Sequence, residues 1–162
     1  MKEEPIVRTP ATIELDSKGI PYRLFTHKKP IQSLEQAAKE RGQFPKQIVR
    51  SILFRLPNEH YVMVLTAGSE QISWSALRKH LGASRITMAN KKQVLEQTGY
   101  EIGAVSPFGL LIPMKLLVDE DIFHQDEISI GSGKRGTAII LSINYLRNAL
   151  DNFEEGCFIE CL

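Results

Sequence analysis

Residues 98–113 read TGYEIGAVSPFGLLIP, and a second run, residues 128–136, reads ISIGSGKRG. The first follows a helix-like stretch and sets Gly103, Pro107 and Gly109 in a short, nearly uncharged loop. Glycine admits backbone angles closed to other residues and lets foreign atoms approach the main chain. Proline fixes its own φ and biases the preceding residue towards extended geometry. Such a loop can hold backbone N–H and C=O groups as fixed dipoles around a small ligand. The second run ends an apparent strand in a glycine-rich turn, with Lys134 and Arg135 at its tip. Together they suggest a pocket for a small polar ligand attached to something anionic. The plainer reading of each is an ordinary turn at the end of an element.

Working outward, the chain alternates between helical and extended patterns. Thr9 followed by Pro10 opens a helix that Gly19 closes. Residues 21–27 read as a strand. Ser33 with Gln36 forms a capping-box pattern, and that helix runs to Gly42. Residues 48–56 and 60–67 are β-rich runs joined by Pro57-Asn58-Glu59, a hairpin. Trp74–Leu81 is helical and stops at Gly82. Residues 85–89 make a short strand, and Asn90 caps KKQVLEQT. Strands are expected at 110–113 and 115–119, then an acidic connection, then strands at 127–133 and 137–142. Ser142 caps a last helix. Hairpins mixed with helices favour an α+β domain, a single domain with one curved mixed sheet. Residues 1–8 are expected as a flexible terminus, 9–150 as the domain, and 151–162 as a C-terminal tail.

Composition suits that reading. The chain has 162 residues, 43% hydrophobic and 24% charged, typical of one globular domain. No apolar run approaches the ~20 residues that span a bilayer, so no membrane partner is expected. The start, MKEEPIVRTP, lacks the apolar segment of a secretory signal, so the cytoplasm is the expected location. A net charge of +1 argues against DNA binding and against strong nonspecific RNA binding. Any RNA contact should come from a local basic face. Cys157 and Cys161 are read as tail thiols, because no neighbouring histidine pair completes a metal set. No metal or cofactor is expected. There is no hydrolase-type Ser-His-Asp order, nucleophile elbow, P-loop or zinc spacing.

Arg50 stands out on its strand. Side chains alternate between faces, so Arg50, Ile52, Phe54 and Leu56 share one, and Val49, Ser51, Leu53 and Arg55 the other. Arg50 is the only charge on a mostly apolar face. It either reaches a polar cavity or snorkels to solvent past the core edge. His27 ends the first strand, facing either the pocket or the surface. Trp74 reads as core, and His60, His80 and His124 carry no assignment. Lys28-Lys29, Arg78-Lys79 and Lys91-Lys92 are solvated pairs within reach of RNA phosphate.

The run TGY-x-x-G-x-x-S-P-x-G followed by SGKRG resembles the YbaK/EbsC family, related to the editing insertion domain of bacterial prolyl-tRNA synthetases. The resemblance covers roughly residues 9–150. It implies a barrel-like sheet flanked by helices, and hydrolysis of the ester joining a wrong small amino acid to tRNA. The partners it implies are aminoacyl-tRNA and an aminoacyl-tRNA synthetase. By the same resemblance, backbone groups of Gly103, Ala104, Val105, Ser106 and Pro107 fix the aminoacyl carbonyl or a water, and no protein nucleophile is needed. The position usually held by a substrate-contacting lysine is Arg50 here, implied to hold the terminal adenosine or its phosphate. His27, Gly131, Ser132, Gly133, Lys134 and Arg135 complete the implied substrate contacts. The rival reading is a noncatalytic module that uses the same pocket to bind a tRNA end, a nucleotide or a protein.

Overall fold

Helices begin where the chain offers an oxygen for their first N–H groups. In the computed structural model, which describes residues 7–160, Thr9 caps α1 (Pro10–Ser17), and Thr12 returns the bond through its own hydroxyl. Ser33 caps α2 (Leu34–Arg41), Ser73 caps α3 (Trp74–Leu81), Asn90 caps α4 (Lys91–Thr98) and Ser142 caps α5 (Ile143–Ala149). Each cap satisfies a donor that the helix leaves unpaired. The box expected at Ser33 is half made: Gln36 accepts from the Gln32 N–H instead of closing back on Ser33. The flexible-terminus expectation for residues 1–6 and the reading of Cys161 lie outside the described residues.

The strands form two ladders where one curved sheet was expected. Strands β1 (Arg23–Thr26), β6 (Glu127–Gly131) and β7 (Thr137–Ser142) make an antiparallel sheet with β7 central. The larger sheet runs β4-β2-β3-β5-β8, from β2 (Val49–Leu56), β3 (His60–Ala67), β4 (Thr87–Met88), β5 (Lys115–Asp119) and β8 (Phe153–Gly156). The β2–β3 hairpin expected across Pro57–Glu59 is in register from Val49↔Ala67 to Leu56↔His60. Strands β3, β5 and β8 are parallel, so the larger sheet is mixed. A single parallel bridge, Ile48 to Ser129, links the two sheets.

Alternation along β2 and β3 divides the core. Val49, Met63 and Leu65 face a cluster with Ile128, Ile130, Ile139 and Leu141 of the small sheet, closed by Leu15 and Leu146. Phe54, Val62 and Val64 face a second cluster with Leu77 of α3, Leu117 and Phe158. Trp74 packs edge-on against Phe54 at 5.2 Å, in the core role read from sequence.

Two expectations fail for reasons that local pattern does not show. Residues 110–113 form no strand. The Leu111 and Ile112 N–H groups donate to the Thr98 and Gln97 carbonyls, which lie in the last turn of α4 and lack helical partners. Residues 151–160 are not a loose tail: β8 adds an edge strand, and Phe158 is 1% exposed. Asp119, fully buried, holds this segment by accepting the Phe158 N–H at 2.8 Å. Phe158→Ala is therefore expected to cost about 3–5 kcal/mol of stability, as large cavities do. Guanidinium unfolding monitored by Trp74 fluorescence measures it.

Candidate functional site

The two quoted runs meet in space because Gly131 has no side chain. A Cβ there would lie 2.0 Å from the Val105 carbonyl oxygen and 3.3 Å from that of Ala104. The contact extends one turn further, where the Gly133 N–H donates to the Ala104 carbonyl at 2.9 Å. Ser132, fully buried, pins the turn by donating from its hydroxyl to the Thr137 carbonyl at 2.8 Å and accepting the Lys134 N–H. Its own carbonyl accepts the Thr9 hydroxyl. Tyr100 braces the other loop, donating to the Phe108 carbonyl at 2.5 Å. Burial is the main reason the Tyr100 phenol is pushed well above its ordinary value.

Beside this junction lies a cavity of about 360 Å³, within the usual range for small-molecule sites. Its long wall is β2, from Ile48 to Leu53; Gly103, Val105, Gly131 and Gly136 close it, with Thr137 and Ala138 of β7. The β2 wall is largely bare main chain. The Gly68 N–H donates to the Ile48 carbonyl. By antiparallel alternation, Arg50 and Ile52 also bond to β3, and Ser51 turns its N–H and C=O to the opposite edge. On that edge, β6 touches at Ile48, and Ala89 caps the Leu53 carbonyl. No strand lies opposite Ser51 between them. The Ser51 hydroxyl is buried and unpartnered as well.

The structure brings Arg50, Gly103, Val105 and Gly131 to one cavity. The Arg50 guanidinium, however, is engaged: Nε donates to the Gly68 carbonyl at 2.7 Å and Nη2 donates to that of Glu70. Burial lowers this guanidinium's pKa, and Glu70 partly offsets that. Ala104, Ser106 and Pro107 are buried behind the loop surface and do not line the cavity. Ser106 accepts the Phe108 N–H. Lys134 and Arg135 are exposed outside the lining, and Arg135 donates to the Ile102 carbonyl at 2.9 Å. His27 is buried behind Arg41, whose Nε donates to His27 Nε2 at 3.0 Å. The accepting nitrogen needs a lone pair, which sets the ring proton on Nδ1, 3.5 Å from Glu40.

Arg41 and Ser51 both line the cavity and were not singled out from sequence. Arg41 falls in the last turn of a helix and Ser51 within a strand, places that carry no functional signal of their own. Among the lining residues, Ser51 and Thr137 supply the only hydroxyls, and there is no carboxylate, imidazole or thiol. Among the described residues no group of three His, Cys, Asp or Glu could hold a metal.

The model of the aminoacyl-tRNA editing domain matches residues 28–149. This chain belongs to the aminoacyl-tRNA editing family. It is 31% identical over 141 residues to the Escherichia coli multifunctional Ser/Thr-tRNA deacylase ProXp-y, covering 83% of each chain. It is 29% identical over 113 residues to the proline–tRNA ligase of Thermosipho melanesiensis, covering 70% of this chain but 20% of the ligase. A crystal structure described as a candidate trans-editing enzyme for prolyl tRNA synthetase superposes with a TM-score of 0.84, covering 96% of this chain and all of that one. At 20% identity that likeness is one of fold. These findings agree with the resemblance read from the two loop motifs.

The geometry yields two expected outcomes. Gly131→Ala forces the junction apart and should cost roughly 2–3 kcal/mol, read by chemical denaturation. Arg50→Ala leaves the Gly68 and Glu70 carbonyls short of a charged donor and should cost about 2 kcal/mol, with partial recovery in Arg50→Lys.

Proposed function

We propose that this protein is an aminoacyl-tRNA deacylase, hydrolysing the ester that joins a wrongly attached small amino acid to tRNA. The observation that carries this reading is the cavity in which the Gly103–Val105 backbone and the unpaired edge of β2 face each other. Family membership supplies the ester. The cavity supplies fixed dipoles, and its lining holds no carboxylate, imidazole or thiol to activate the Ser51 or Thr137 hydroxyl as a nucleophile. Water attacks the ester carbonyl carbon, the bond to the ribose oxygen breaks, and the leaving oxygen takes up a proton. Main-chain N–H groups aimed at the developing oxyanion would do most of the stabilising, since they need no reorganisation as charge builds.

In this reading the two sheets act together as one curved wall around the ester, and Arg50 keeps that wall in position. Its charge also lies beside the cavity, where it can favour the tRNA terminus. Ser106, Ser132 and Gly133 support the loops, and Lys134 and Arg135 meet RNA outside. The substrate is aminoacyl-tRNA in the cytoplasm, received from a synthetase. That partnership is suggested by the proline–tRNA ligases that carry a matching segment.

The E. coli relative's name makes seryl and threonyl esters the first to test. Ser51 offers a buried hydroxyl with no partner, suited to a substrate hydroxyl. In single-turnover assays with mischarged tRNAs, wild type should release a small amino acid at the same rate with or without EDTA. Gly103→Val, introducing a branched residue where φ is +93°, should lower that rate by at least tenfold. Ser51→Ala should lower preference for a hydroxyl amino acid by roughly five- to tenfold, the worth of one neutral hydrogen bond. Tight tRNA binding with no hydrolysis across the panel would instead favour the noncatalytic module.

A further inference from the structure

With the Arg50 guanidinium committed to two carbonyls, the cavity has one other cation in its wall. Arg41 comes from the last turn of α2 and lines the end of the cavity near Ile31, Gly136 and Thr137. Two of its five N–H groups are used: Nε donates to His27 Nε2 at 3.0 Å and Nη1 to Ser129 Oγ at 2.9 Å. The other three have no acceptor among the described residues. Both partners are buried and rigid: Ser129 lies on β6 where it bridges Ile48, and the His27 ring packs edge-on against Phe25 at 4.9 Å. The guanidinium is thus held in one orientation with half its fork unfilled. These donors remain open to solvent at the cavity, where a ligand oxygen can replace water without moving the arginine.

The surroundings say what kind of ligand. Lys28 and Lys29 follow His27 directly, and the His27 N–H donates to the Gly136 carbonyl at 2.8 Å. That bond brings this exposed pair beside the turn carrying exposed Lys134 and Arg135. Glu101, 3.6 Å from Arg135, and Glu40, 3.5 Å from His27 Nδ1, offset part of this charge, so Arg41 lies just inside a mouth where cations outnumber carboxylates. The far end of the cavity, at Leu53, Ala89 and Val94, is apolar and uncharged. From Ile48 to Leu53 the wall runs about 16 Å at the ordinary strand rise, long enough for a nucleotide to lie along it. A donor-only planar fork suits phosphate.

We propose that Arg41, oriented by His27 and Ser129, binds a phosphate oxygen of the tRNA's terminal nucleotide and so sets the direction in which the substrate enters the cavity. This rests on the deacylase reading but is measured separately from it. Calorimetric titration of the full chain with adenosine 5′-monophosphate and with adenosine compares a ligand that has the phosphate with one that lacks it. Wild type should prefer the monophosphate by roughly 10- to 100-fold, the range for a charge-assisted contact. Arg41→Gln should abolish that preference while leaving adenosine binding unchanged, and Arg41→Lys should retain part of it. A merely structural arginine would affect both ligands alike and would appear as a lowered melting temperature. Wild type without a phosphate preference, or Arg41→Gln with the wild-type preference, overturns the proposal. Deacylation of mischarged tRNA by the same proteins separates the two readings. Arg41-dependent phosphate binding without hydrolysis sinks the deacylase and keeps the phosphate contact. Hydrolysis at wild-type rate and KM by Arg41→Gln does the reverse.

Discussion

The site depends on one close approach, that of the β6 end to the 103–107 loop. Because position 131 carries no Cβ, the Val105 carbonyl can lie where a side chain would otherwise be. That contact joins the small sheet to a loop anchored on α4, and the Gly133–Ala104 hydrogen bond locks it. It also sets the distance between β6 and β2, which pack through Val49, Ile128 and Ile130 but are joined by a backbone bridge only at Ile48 and Ser129, among the described residues. The gap left beyond that bridge is the cavity. A wider junction would enlarge the cavity, and a tighter one would let β6 pair along β2 and fill it.

In the proposed function, a wall made of strand edge gives an ester what it needs with few side chains. Ser51 presents a donor and an acceptor of its own backbone together with an unpartnered hydroxyl. An unpaired edge is normally a hazard for association with other chains. Here it is recessed between the two sheets, reachable by a small group and not by another strand. The charge arrangement follows the same division. Arg50 serves the fold on one face of β2, and Arg41 remains half-engaged at the cavity's basic end.

Much of this was legible in the sequence because it rests on local chemistry. Ser, Thr and Asn caps mark helix starts wherever they occur, and alternation assigned Arg50 to the face of Ile52 and Phe54. The two glycine-bearing loops carried the family resemblance, since each glycine answers a close contact or a turn. What escaped reading depends on partners remote in the chain. Arg41 is defined by His27 and Ser129, and Ser51 by the strand that is missing beside it. Residues 110–113 look extended and apolar, yet their N–H groups go to the end of α4. Phe158 looked like part of a tail because its pocket is built by Phe54, Leu77 and Leu117.

The position of β8 bears on how the chain is made. Strand β5 lies between β3 and β8, and both pairings are parallel, so neither forms through a tight hairpin. A ribosome delivers β2 and β3 early, and their hairpin can close at once. The outer side of β5, and the hollow that Phe158 fills, stay uncovered until the last segment emerges. During that interval the nascent domain exposes an apolar face and a free sheet edge, the features that invite chaperones and misassociation. The cavity is spared this delay. The loops around the cavity belong to residues made before β8, so the site can be assembled while the far edge of the sheet is still waiting for its last strand.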